Sequence, residues 1–173
     1  MSQRIKWTDR RFNFDFPAAL YPEMIERLRG APARMDEYLS SSPEILTARD
    51  EGRWSIQENA GHLLDLDSLV LQRIDEYLAG ASVLHAADMS NKKTHEANYN
   101  DIPAATIKQS FRQRRMEIVS RLEGLEAEMF ARAAIHPRLN VPMRLLDMLF
   151  FQAEHDDYHL TRMSELKQLL AKE

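Results

Sequence analysis

Three histidines of this chain have types and spacings suited to holding one metal ion. His155 and His159 stand at i, i+4, which on a helix puts both imidazoles on one face about one turn apart. His62 lies in a separate amphipathic segment and can approach them from a facing helix. Neutral imidazole suits zinc, nickel, copper or iron. Three protein ligands leave a coordination position open, as catalytic sites do and closed structural sites do not. The chain has no cysteine, which removes disulfides, thiolate ligands and a cysteine nucleophile and fits a reducing compartment.

Several neighbours of these histidines carry carboxylates. Asp65 follows His62 by three residues, and Asp156 and Asp157 sit between the paired histidines. Each is a candidate to orient a ligand, to be a fourth ligand or to act as a general base, and helix geometry does not choose among them. Glu58 lies one turn before His62 and has two readings: orienting that imidazole, or closing a capping box with Ser55, which needs no metal. The pattern around His155 is not H-E-x-x-H, and the shorter Asp156 would reach a metal-bound water poorly, so a metalloprotease is disfavoured. Arg73, on the His62 side of its helix, and Arg114, within an apolar stripe, are candidates to bind a substrate carboxylate; the plainer reading is arginines paired with local acids. Trp54 and Phe111 read as core, and His85, His95 and His136 as surface or loop residues, with His95 and Tyr99 as candidate lid groups.

Long helices must position these groups. With only five glycines and seven prolines in 173 residues the chain reads as all-α and as one domain. Phe12, Phe14 and Phe16 alternate with polar residues, so residues 1–16 predict an extended arm laying aromatics onto a body that spans 17–173. A first helix follows Pro17, with a break at Gly30 and Pro32, and runs to Leu39; Ser40 to Pro43 is a loop signal. The second long helix opens at the Ser55–Glu58 capping box and extends to Leu78. It carries one stripe through Ile56, Ala60, Leu63, Val70 and Ile74 and another through His62, Leu66 and Leu69. Residues 80–101 lack periodicity and read as a functional loop or lid, or a concealed short helix. Asp101 is a candidate cap for the third long helix, whose stripe of Ile107, Phe111, Ile118, Leu122 and Leu125 is interrupted by Arg114. The fourth starts near Pro142, and its inward row of Leu145, Met148, Gln152, His155, His159, Met163, Leu166 and Leu170 contains both paired histidines. Four such helices predict an antiparallel-type bundle.

A net charge of -4 disfavours electrostatic nucleic-acid binding, since phosphate contacts need a concentrated basic surface. No apolar run reaches bilayer-spanning length and the N-terminal residues lack a signal-peptide core, so the expected setting is cytoplasmic, with no membrane partner.

The run Trp54-Ser55-Ile56-Gln57-Glu58-Asn59-Ala60-Gly61-His62-Leu63, followed by His136-Pro137 and by His155-Asp156-Asp157-Tyr158-His159, resembles the DinB-like family. The resemblance covers nearly the whole chain, and its motifs are specific in combination rather than singly. It implies a four-helix bundle of up-down-down-up connectivity, often dimeric, holding one divalent ion through His62, His155 and His159. Zinc or nickel is the first expectation, with iron or manganese as alternatives. The family includes S-transferases and isomerases that use low-molecular-weight thiols, so the implied function is a metal-dependent enzyme, transferase or hydrolase, activating a thiol or water for a small-molecule substrate. The alternative is a non-catalytic metal- or ligand-binding bundle with a stress-related interaction role. No catalytic residue beyond the ligands is indicated. Family members commonly have glycine shortly after His-Pro, where this chain has Arg138-Leu139-Asn140; Asn140 is the residue there that tolerates left-handed backbone.

Overall fold

The computed structural model describes residues 4–170. Its long helices are α1 (Tyr21–Tyr38), α3 (Ile56–Leu78), α5 (Ala104–Glu123) and α6 (Leu145–Leu170); the short helices α2 (Pro43–Thr47) and α4 (Lys92–Glu96) lie in the connections. α1 packs against α5 and α6, and α3 packs against the same two helices, so the long helices close around a shared core. No helix among the described residues is long and apolar enough to cross a membrane.

The first stripe of α3 and most of the α6 row are buried as expected, while Leu66 and Leu69 of the second α3 stripe and Leu170 of α6 are half-buried. Ile56, Ala60, Leu63, Val70 and Ile74 of α3 are all buried, as are Met148, Gln152, His155, His159, Met163 and Leu166 of α6. α3 begins with a complete capping box: the Glu58 amide donates to Ser55 Oγ at 3.1 Å, and the Ser55 amide donates to Glu58 Oε2 at 2.9 Å. The arm alternates as expected, with Phe12, Phe14 and Phe16 partly buried on the core and their neighbours exposed. Arg144 holds it down, donating from Nη2 to the carbonyls of Phe14 and Phe16 at 2.9 Å each.

Four expectations are corrected. α1 runs unbroken through Gly30 and Pro32. An internal proline costs about 3 kcal/mol, but Leu28, Ala31, Pro32 and Met35 are buried on one face, and that packing holds the helix together. α5 is capped by Pro103, with Asp101 in a preceding 3₁₀ turn. Pro142 opens no helix: it lies in β2 (Val141–Arg144), which pairs antiparallel with β1 (Ala133–His136), Pro142 opposite Ile135. Residues 82–84 line the other side of β1, through Leu84 N to Ile135 O at 3.0 Å and Ile135 N to Ser82 O at 2.9 Å. Pro142 is therefore on an edge strand, where its missing N–H is tolerated. Asn140, in the turn between the strands, has φ of +54°.

The fourth correction is the most consequential. Arg115, not Arg114, interrupts the stripe of α5. Its side chain is fully buried, with Nε and Nη2 donating to Asp67 of α3 at 3.2 and 2.8 Å and its other donors to Asp156 of α6. Phe111 lies beneath the guanidinium, 4.7 Å from it. Arg114 points outward and pairs with Glu117 at 3.1 Å. Removing one partner from a buried ion group strands the remaining charge, at a cost of about 3–5 kcal/mol. Asp67→Ala should lower unfolding stability by about that amount in urea denaturation. The apolar triple replacement Asp67→Leu/Arg115→Met/Asp156→Leu should recover most of the loss; a triple variant no more stable than Asp67→Ala would show that the ion group itself stabilises the fold.

Candidate metal centre

α3 and α6 bring His62, His155 and His159 together in the core. Each has a ring nitrogen lying within 4.8 Å of the others', and all three side chains are buried. The Nε2 atoms of His155 and His159 are 3.3 Å apart.

The surrounding hydrogen bonds assign the protons. Asn59 donates from Nδ2 to the carbonyls of Trp54 and Ser55, which leaves its Oδ1 as an acceptor. His159 must therefore donate from Nδ1 to Asn59 Oδ1, across 2.8 Å, and its Nε2 is a bare lone pair. The same logic runs through Thr94, the buried residue of the short helix α4. Its single hydroxyl proton goes to Asp65 Oδ2 at 2.9 Å, so Thr94 Oγ1 accepts from His62 Nδ1 at 3.2 Å and His62 Nε2 is also unprotonated. Asp65 is held in turn by the Tyr99 hydroxyl at 2.8 Å and the Lys93 ammonium at 3.1 Å. His155 Nδ1 is buried with no partner among the described residues.

These donors fit a metal ion. Tetrahedral zinc with nitrogen ligands at about 2.0–2.1 Å separates adjacent ligand atoms by roughly 3.3 Å, the spacing found between His155 Nε2 and His159 Nε2. Outer partners that fix the tautomer and aim Nε2 inward are the usual support of ligating histidines. Burial holds all three imidazoles in the neutral form a metal requires: it pushes His62 down to about 4, and His155 and His159 well below their ordinary value, with neighbouring histidines adding to the effect.

The site opens into a cavity of about 1080 Å³. Trp54 forms part of its wall, 4.7 Å from the His62 ring, and Trp7 of the arm forms another, 4.8 Å from His155. Of the other candidates, Arg73 lines the cavity and Arg114 does not. Glu58 lines it too, but its carboxylate is engaged by Ser55 and Arg49. Asp156 and Asp157 face away from the imidazoles, Asp156 to Arg115 and Asp157 to Arg27 and Arg34. His95 lines the cavity 5.5 Å from Trp54, whereas His85 is exposed elsewhere. His136, expected at the surface, is 2 % exposed and lines the cavity, because the β1–β2 hairpin folds its loop against Phe151, 5.2 Å away. Sequence reasoning passed over Asn59, Thr94, Trp7 and Arg138. Asn59 stood within the quoted motif, one turn before His62, and that spacing was its signal; the loop position of Thr94 gave none.

The match to the DinB superfamily model runs over residues 27–163. The chain belongs to the DinB superfamily. Among solved structures it is similar to YfiT from Bacillus subtilis, described as a probable metal-dependent hydrolase with an unusual four-helix bundle topology, at a TM-score of 0.80 and 16 % identity over 94 % of each chain. It is also similar to a mycothiol-dependent maleylpyruvate isomerase, at a TM-score of 0.66 and 9 % identity, covering 85 % of this chain and 60 % of that one. No curated protein matches the sequence. At these identities the structural likenesses show the shared fold, a helical bundle.

Burial of neutral histidines gives this DinB protein a pH signature when it is metal-free. Because His62 titrates near 4 when folded and near 6.5 when unfolded, the unfolded chain binds more protons between those values. Stability should therefore be flat above about 6.5 and fall as the pH drops towards about 4. Urea denaturation of chelator-treated protein across that range checks this. His62→Gln, which cannot titrate, should show a shallower fall, and an identical slope would contradict the assignment.

Proposed function

We propose that this DinB-superfamily chain is a metal-dependent enzyme, of transferase or hydrolase type, that binds one divalent ion through His62, His155 and His159 and acts on a small-molecule substrate. The observation that carries the reading is the pair of aimed, proton-free Nε2 atoms of His62 and His159, set beside His155 Nε2 at ligand spacing from His159. His62, His155 and His159 would hold the ion, which would supply Lewis acidity towards a water or thiol near neutral pH. Zinc or nickel suits three imidazoles best, ahead of iron or manganese.

The chain's own residues do the rest. Asn59 and the Thr94–Asp65 relay keep the ligating nitrogens deprotonated and fixed in direction. Trp7 and Trp54 wall the site, while the cavity gives a substrate access. Asp65 is spent on Thr94, Tyr99 and Lys93, and no carboxylate joins the three-histidine group among the described residues. That favours a catalytic site with an exchangeable position over a closed structural one. With no cysteine in the chain, a thiol would have to be a cosubstrate.

The rest of the reading concerns architecture and setting: an arm at 1–16, one domain over 17–173, up-down-down-up connectivity, a homodimer and a cytoplasmic location. Cross-helix contacts support the connectivity. Arg27 and Glu37 of α1 meet Asp157 and Lys167 of α6 in the same order, and Asp67 and Asp75 of α3 meet Arg115 and Arg121 of α5 likewise. Arg29 and Asp36 of α1 meet Glu123 and Arg112 of α5 in reversed order.

Elemental analysis of untagged protein should find one divalent ion per chain, with His159→Ala sharply weakening its binding. Full occupancy in the His62/His155/His159 triple-alanine variant would refute the assignment. Mild acid should empty the site before the bundle unfolds, since protons compete for all three ligands. In the cobalt-substituted protein the ligand-field spectrum should shift when a small thiol is added; an unchanged spectrum with every thiol and anion tried would leave a structural metal as the better reading.

A further inference from the structure

Six arginines line the cavity, and they divide into two groups. Arg4, Arg49, Arg53 and Arg162 each pair with a carboxylate. Arg73 and Arg138 pair with none among the described residues. Arg73 is only 6 % exposed, and its Nε and Nη2 both donate to the carbonyl of His85, at 3.1 and 2.8 Å. That neutral acceptor fixes the guanidinium without cancelling its charge. Arg138, in the hairpin turn, sits 5.6 Å from the centre of the Phe151 ring, and its Nη2 is buried with no partner.

Arg73 is buried and Arg138 is half-buried with Nη2 enclosed; withdrawing charge from water without a counter-charge is costly, so the two on one cavity wall call for an anion. The effect reaches their surroundings: burial lowers the pKa of both arginines, and both push His136 down in addition to its own burial, to about 4. His136 accepts from the Leu139 amide at its Nδ1, at 3.2 Å, so this neutral ring carries its proton on Nε2 and adds a third donor at the same end of the cavity. Between this end and the histidines the lining is apolar, with Leu66, Leu69, Val70, Met148 and Phe151. The Trp7 ring spans the gap, 4.9 Å from Phe151 and 4.8 Å from His155.

We propose that Arg73 and Arg138 form a carboxylate-binding pole, so that the substrate is an organic acid with an apolar body, held by its anionic end with its reacting group turned to the three histidines. Planar guanidinium forks match a carboxylate in geometry. A singly charged carboxylate is also easier to desolvate into a half-enclosed apolar cavity than a doubly charged phosphoryl group. This inference names the substrate class of the proposed metal site and rests on that reading for the reacting end alone.

Calorimetric titration separates the two. 3-Phenylpropionate, its neutral amide and phenylphosphonate are titrated into zinc-loaded and chelator-treated protein. The carboxylate should bind both forms and bind more tightly than the amide. Arg138→Gln should weaken the carboxylate about 10- to 100-fold and leave the amide unchanged. Arg138 Nη2 has no protein partner to lose and its charge is uncompensated, so this variant should keep or raise the wild-type melting temperature. Arg73→Lys should weaken the carboxylate and Arg114→Gln should not. Equal affinity for acid and amide, no binding of the acid, or an acid affinity indifferent to Arg138→Gln would overturn the proposal. Tighter, Arg138-dependent binding of phenylphosphonate would overturn the carboxylate class. Acid binding that needs zinc and ignores Arg138 would defeat this inference and leave the metal reading standing. Arg138-dependent acid binding by a protein that takes up no zinc would do the reverse.

Discussion

The buried guanidinium of Arg115 ties three helices together, because α5 carries it to partners on both α3 and α6. A fully buried arginine is tolerable only when its donors meet acceptors with good geometry, and here these are Asp67 of α3 and Asp156 of α6, with Gln152 adding a donor to Asp156 at 3.1 Å. Burial pushes the Asp67 carboxyl up to about 6 against the pull of the Arg115 guanidinium, with the Asp156 charge adding to the rise. Its position sets the register of the three-histidine cluster. Asp156 is the neighbour of His155 along α6, and Asp67 lies five residues beyond His62 along α3. Sliding α3 against α6 would break the ion group and misalign the imidazoles together.

The histidines then depend on a loop. Thr94 fixes the proton of His62, and its segment comes close because α3 has no side chain at Gly61, where a Cβ would lie 2.2 Å from the Tyr99 ring. Tyr99 in turn bonds Asp65, and Gln57 donates to the carbonyls of Tyr99 and Ile102 at 2.5 Å each. A glycine one position before His62 thus lets the 80–101 segment close over the histidine cluster. The chain from packing to chemistry is short here: a missing methyl admits a ring, the ring steadies a carboxylate, and the carboxylate takes the threonine proton that would otherwise compete for His62.

Features set by local periodicity were legible in the sequence. The first stripe of α3, most of the α6 row, the capping box and the alternation of the arm follow from spacings of 3.6 and 2, and each is realised. The three histidines were legible because an i, i+4 pair interrupts an apolar row. Choices made by distant partners were not. Arg114 and Arg115 stand three and four residues after Phe111, so both are helical neighbours of the same stripe; only Asp67 and Asp156, brought in by other helices, decide that Arg115 turns inward. His136 and Arg138 were obscured for a related reason. Pro142 suggests a helix start, but residues 82–84 pair with the outer side of β1 and leave β2 as an edge strand that accepts the proline, and the hairpin folds its turn into the cavity wall.

The division of labour within the cavity follows from the same physics. Its histidine end is built on two helices whose relative position is fixed by the buried ion group, so the packing of the core brings the three imidazoles together. Its remaining walls come largely from the arm, the 80–101 segment and the hairpin, which lie outside the long helices and are tied to them by contacts such as Arg144 to Phe14 and Phe16 or Arg73 to His85. Changes in those segments alter what the cavity accepts without disturbing the register of the core. The two arginines that pair with no carboxylate among the described residues straddle this division, Arg73 on the packed helix α3 and Arg138 in the turn of the hairpin, so the far wall of the cavity is shaped by both.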